Sequence, residues 1–211
     1  FGGLPRGEKI ERKYKPVEPL QGPEKEVLID EKAQLPGVFI GYRAPSVKDS
    51  NYYAMSLLMD ILASGESSRL YQRLVDKEQI ATQASLVPLN LEEGGTVVFY
   101  GIANPGEDIE DVEDAIKDEI EKLVEDGITG AELEKAKNIR EAQFVSSKKD
   151  ILNKAMDLAE YNALWGDPAM INSEIDKYMD LTVRDLNDVA RKFLGTNKRY
   201  TIVFLPKGYD E

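Results

Sequence analysis

The chain holds 211 residues with a formal net charge of −12; 42% of them are hydrophobic and 31% charged, enough apolar material for a buried core without a covalent staple. It contains no cysteine and no histidine, which excludes disulfides, thiol or imidazole catalysis and the preferred ligands of zinc. The acidic balance opposes nucleic acid and anionic membrane surfaces, and no apolar run approaches the length of a membrane-spanning helix.

Residues 1–25, FGGLPRGEKIERKYKPVEPLQGPEK, mix Gly, Pro and charge without apolar periodicity. They are expected to form a linker or wrapping arm, with a single α+β domain over 26–211. The chain opens on Phe1 rather than Met and shows no signal-peptide pattern, so it is expected to be a piece of a longer precursor. EVLID and GVFIGYRA, separated by EKAQLPG, carry the short β-branched and aromatic runs of two strands.

From Asn51 the period changes. Met55, Leu58, Met59 and Leu62 fall at helical spacing, and Gly65 ends that helix. Ser67 or Ser68 is expected to cap a second helix, with Leu70 and Leu74 on one face. QASLVPLNL and GTVVFYGIA form a predicted hairpin around NLEEGG, and Pro88 marks its first strand as an edge or bulged strand. Ile109, Val112, Ile116, Ile120 and Leu123 make an apolar stripe backed by acids. Thr129 and Glu132 form a capping box that opens a long helix, running past Trp165 with a break. PAMINSEIDKYMD predicts a further helix. Thr182 and Asp185 repeat the capping pattern before Val183, Leu186, Val189 and Phe193, with Gly195 as the stop. RYTIVFLP closes the chain as a strand. Strands, then helices, then one strand predict an α+β two-layer sandwich, a mostly antiparallel sheet packed on helices.

The candidate chemistry is sparse. Ser146 and Lys149 match a serine–x–x–lysine pattern but fall on an exposed helical turn, where such a spacing arises by chance. The carboxylates of GEDIEDVEDAIKDEIEKLVED lack the glycine-centred loop of an EF-hand and read as a solvated helix face. Arg73, Asp76 and Glu78 read as a surface network at helical spacing. Tyr52, Tyr53, Tyr71, Phe99 and Tyr100 read as packing, with hydroxyls at the rim. No catalytic residue and no metal ligand is assigned, and no paired-carboxylate motif supports an independent carboxylate-dependent enzyme.

LLMDILASGESSRLYQRLVDKEQIATQAS resembles the second-half signature of the pitrilysin/insulinase-type zinc metallopeptidases, which include the mitochondrial processing peptidase. DGITGAELEKAK, residues 126–137, resembles that family's next landmark, and FGGLPRG its junction between half-domains. The likeness covers essentially the whole chain. It implies one of two homologous halves that close around an unfolded peptide, the other half carrying zinc on an inverted His-x-x-Glu-His helix. Without histidine, this chain is by resemblance the non-catalytic half. It holds no cofactor of its own, and its partners are a histidine-bearing half, in the same polypeptide or a separate subunit, and peptide substrates. Gly65, Ser67, Ser68, Arg69, Leu70 and Tyr71 are the matching structural motif. The family's substrate-gripping arginine and tyrosine align with Val75 and Thr82, which cannot replace them. Arg199 and Tyr200 do not substitute either, since neighbours on a strand point to opposite faces. An extended peptide is expected to add to an exposed strand edge, with basic peptides favoured by long-range attraction. A bacterial periplasmic or envelope location is what the family implies. The alternative is a structural assembly subunit of the same fold with no peptide role.

Overall fold

Along β4 (Gly95–Ala103), Val97, Phe99 and Ala103 are buried while Thr96, Val98, Tyr100 and Ile102 are half exposed. This period-two alternation gives the sheet one core face. The pattern repeats in β2 (Gly37–Ala44), where Val38, Ile40 and Tyr42 turn inward, and in β5 (Arg199–Pro206), where Thr201 and Val203 do. With β1 (Glu24–Asp30) and β3 (Ala81–Asn90) these strands form one sheet in the computed structural model, ordered β1-β5-β2-β4-β3. Among the described residues β1 pairs with β5 in parallel and the other pairings are antiparallel. The structure describes residues 2–3, 5, 7–8, 20–195 and 197–209. The arm expected over 1–25 lies largely outside these residues, and its last two, Glu24 and Lys25, already belong to β1.

Helix α1 (Tyr52–Ala63) buries the expected Met55, Leu58, Met59 and Leu62, and also Leu57 and Ile61. It is apolar nearly all round because it is wedged between the sheet and other helices. Helix α2 (Ile109–Asp126) lies across β4 on its predicted stripe. Gly101 permits the approach: a Cβ there would sit 2.5 Å from Val112 Cγ1 and 3.2 Å from Ile116 Cδ1. Both predicted capping boxes form, Thr129 with Glu132 at the start of α3 (Gly130–Ser147) and Thr182 with Asp185 at the start of α6 (Val183–Phe193). The expected α+β sandwich is therefore the observed fold, with Pro88 on an edge strand as its missing N–H requires.

Several elements differ from the sequence reading. The long helix breaks at residues 148–150, and its second piece, α4 (Ile151–Trp165), stops at Trp165 because Gly166 turns left-handed at φ 73°. The segment PAMINSEIDKYMD is not one helix. A 3-10 turn, Pro168–Asn172, precedes a short α5 (Glu174–Met179), whose Tyr178 packs edge-on to Tyr53 at 5.0 Å. Gly195 does end α6, but by close approach: a Cβ would lie 2.6 Å from the Arg191 carbonyl oxygen. The acidic face of α2 is not wholly solvated either. Glu113 is 4% exposed and accepts from Lys25 on β1 at 2.8 Å, with Lys117 at 2.6 Å. Burial works to raise the Glu113 carboxyl, but the two ammonium groups outweigh it and hold it below the ordinary value.

Candidate functional site

The site residues read from the sequence converge on the turn between α1 and β3. Gly65 takes φ 77° just past the end of α1, a conformation that costs glycine little. The Gly65 carbonyl accepts from the Ser68 amide at 3.1 Å and the Ser68 hydroxyl at 2.7 Å. Ser68 thus folds back on the turn instead of accepting from the next helix, so it is not a cap of the ordinary kind. Leu70 and Leu74 are fully buried beneath.

The second helix expected from the sequence takes the π form over Tyr71–Lys77. Its wider turn explains the charge network. Arg73 meets Glu78, five residues on, at 2.8 Å, and the Glu78 amide donates to the Arg73 carbonyl at 2.9 Å. Its remaining donors reach α2, at the Ala115 carbonyl (3.2 Å) and Asp118 (3.4 Å). The expected surface pairing with Asp76 is replaced by this brace. Gln79, at φ 54°, closes the segment in a left-handed conformation.

Arg69 is a strut. It donates to both oxygens of Glu132, at 2.6 and 3.0 Å, and to the Gly127 carbonyl at 3.0 Å, tying the turn to the end of α2 and the start of α3. Burial would raise the Glu132 carboxyl, yet the Arg69 fork and the Thr129 amide and hydroxyl hold it at about 2. A second brace, invisible in the sequence reading, links α3 to α1. Arg140 donates to Ser56 at 3.0 Å and to Asp60, with its guanidinium 5.1 Å from the Tyr178 ring centre. Burial pushes the Asp60 carboxyl up, only partly offset by Arg140. Nothing in the sequence marks Arg140, because its partners lie about eighty residues away.

Thr82 sits at a β-bulge, exposed, with its hydroxyl donating to the Ile102 carbonyl at 3.2 Å. Together with Glu66, Tyr71, Ser85 and Tyr100 it lines a groove of about 200 Å³. Val75, one turn beyond Tyr71, is half buried against the core and is not part of that lining. Ser146 and Lys149 lie on an exposed turn at the end of α3, as expected. Tyr200 bonds Glu26 across the open sheet face at 2.9 Å, while Arg199 turns to the other face beside Tyr42.

On that open face, Phe39 stacks on Tyr100 at 5.7 Å and meets Phe204 edge-on at 5.4 Å. Ile202 and Val98 extend the half-exposed apolar surface. Among the described residues no group of three or more carboxylates is placed to hold a metal ion.

The described sheet carries helices on one face and leaves the other open, and Arg69 and Arg73 beside it are paired with carboxylates. Residues 1–140 match the model of the peptidase M16 inactive domain, and the chain belongs to that family. It is 30% identical to the zinc protease PqqE of Helicobacter pylori over 172 residues, covering 80% of this chain and 38% of that protein. A solved protease structure from Helicobacter pylori superposes with a TM-score of 0.83 at 28% identity, over 93% of this chain and 49% of that one. The periplasmic protease PqqL of Escherichia coli shares the fold, with a TM-score of 0.76 at 15% identity, over 98% of this chain and 23% of that one. The chain thus spans less than half the length of the curated relatives it matches, 38% in the case of PqqE.

Proposed function

We propose that this chain is the non-catalytic half of a zinc metallopeptidase, and that it forms one wall of a chamber enclosing unfolded peptides for a histidine-bearing half. The observation that carries the reading is the open sheet face. Its partly exposed Phe39, Val98, Tyr100, Ile202 and Phe204 leave a broad apolar surface on a domain whose helices pack into the opposite core. A wall of this kind excludes water and orients an extended chain without supplying a reacting group.

Zinc does not fit the residues of this chain, since histidine and cysteine are absent and carboxylates alone bind it poorly. The metal, the water it activates and the general base belong to the other half, in the same polypeptide or a separate subunit. The periplasmic fold relative supports an envelope location, and no described helix is long and apolar enough to cross a membrane.

The test is cleavage of an unfolded peptide by this chain alone and by this chain mixed with its histidine-bearing half. Silence alone and chelator-sensitive cleavage on mixing is the expected outcome. Cleavage by this chain alone in the presence of chelator would overturn the reading. A stable complex that stays silent would move the assignment to a structural assembly subunit. One observation favours that second reading: Val145, Ile151, Leu152 and Met156 of α3 and α4 are 56–85% exposed, an apolar surface away from the core.

A further inference from the structure

The groove beside the β3 bulge has a lopsided chemistry. The Thr82 and Ser85 hydroxyls donate to the carbonyls of Ile102 and Ala63, at 3.2 and 3.1 Å, so what they offer the groove is lone pairs. The Tyr71 and Tyr100 rings are half exposed. At the rim stands Glu66, exposed, its carboxylate without an ion-pair partner among the described residues. Its backbone is held nonetheless: the Glu66 carbonyl accepts from Gln72 at 2.9 Å, and the adjacent Ser67 carbonyl from Lys135 at 3.0 Å. The nearby arginines cannot neutralise it, because Arg69 and Arg73 are held by Glu132 and by Glu78 with Asp118.

We propose that this groove is a subsite for one lysine or arginine side chain of an extended peptide lying on the open sheet face. An acceptor-rich pocket with aromatic faces and a carboxylate suits a donor-only cationic head: the rings attract the charge and Glu66 pairs with it. At about 200 Å³ the groove is smaller than the ~300–1,000 Å³ of small-molecule pockets and matches a single long side chain. No lysine or arginine is among the residues that line the groove, so a phosphate or carboxylate has no counter-charge in its wall. The inference rests on the reading of this chain as a peptide-binding wall, and it names the substrate feature that wall selects.

The experiment is fluorescence anisotropy with a labelled, unstructured peptide bearing one central lysine, and with its norleucine counterpart. The lysine peptide is expected to bind about tenfold tighter. Glu66→Gln and Tyr100→Leu should each shrink that preference, and Glu134→Gln, an exposed acid on α3, should leave it intact. Equal binding of the two peptides would overturn the subsite while leaving the wall standing. So would a preference that survives Glu66→Gln, or one that Glu134→Gln lowers as much, since diffuse negative charge would then account for it. Failure of both peptides to bind would overturn the subsite and the peptide-binding wall together.

Discussion

Replacing Arg69 by alanine removes a guanidinium that bridges both Glu132 oxygens and reaches the Gly127 carbonyl. An exposed ion pair is worth about 0.2–1 kcal/mol, whereas stripping one partner from a buried pair costs about 3–5 kcal/mol. The two side chains are 19% and 27% exposed, so after discounting for solvent screening the loss falls between those limits, at about 2–3 kcal/mol. At a slope of about 2–3 kcal/mol per molar urea, the unfolding midpoint drops by about 1 M. The effect has a pH signature. Glu132 is held at about 2 in the folded chain against an ordinary 4.5, so as pH falls the unfolded chain takes up that proton first. The stabilisation is fully present above 4.5 and is lost as pH falls toward about 2, and the advantage of the wild type over R69A shrinks across that window. Arg69→Lys should recover less than half of the loss, since an ammonium cannot bridge both oxygens. Urea titrations at neutral and acid pH decide the matter. A midpoint shift below about 0.2 M, or a gap between wild type and R69A that does not narrow in acid, would refute the reasoning.

Three further outcomes are expected. Gln79→Gly should raise stability by about 0.5–1 kcal/mol in urea unfolding, because relief of a left-handed residue exceeds the entropy that glycine adds to the unfolded chain; a loss would mean that the Gln79 side chain supplies more than the strain costs. Gly101→Ala should cost about 1–3 kcal/mol by forcing α2 off β4, while Gly41→Ala, whose Cβ would meet nothing nearer than the Tyr200 carbonyl oxygen at 3.6 Å, should stay within about 0.5 kcal/mol. Equal effects at the two glycines would contradict the packing described for α2. Val75→Arg combined with Thr82→Tyr should fold with a loss of about 1 kcal/mol, drawn from half-buried Val75 while exposed Thr82 contributes little; a loss of several kcal/mol, read by thermal or urea unfolding, would mean that Val75 packs into the core more deeply than its partial exposure implies.

The legible parts of this fold were those decided within a few residues. Thr129 reaches the Glu132 amide and Thr182 the Asp185 amide, so each capping box is written in four consecutive letters. Pro88 lacks an N–H whatever surrounds it, so its strand was expected at an edge or a bulge, and it lies at the edge. The stripe of α2 announced which side would be buried. What it could not announce was Glu113, on the margin of that stripe, whose burial depends on Lys25 arriving from β1, 88 residues earlier. The π-helix was hidden for a related reason. Residues 71–77 satisfy an α period equally well, and the wider turn wins only where Arg73 can pair five residues ahead and also reach α2.

The sequence by itself determined what this chain cannot supply: with neither histidine nor cysteine, no packing arrangement could draw from it a zinc ligand of the preferred kind or an imidazole base. It also determined the alternation of strand residues, and hence that the sheet would have a core face. Only the tertiary structure decided what the arginines of SSRLYQRL do. The same letters serve equally for gripping a substrate or bracing a turn, and the choice lies with Glu132, Glu119 and Asp118, carboxylates brought up by α2 and α3 from more than forty residues away.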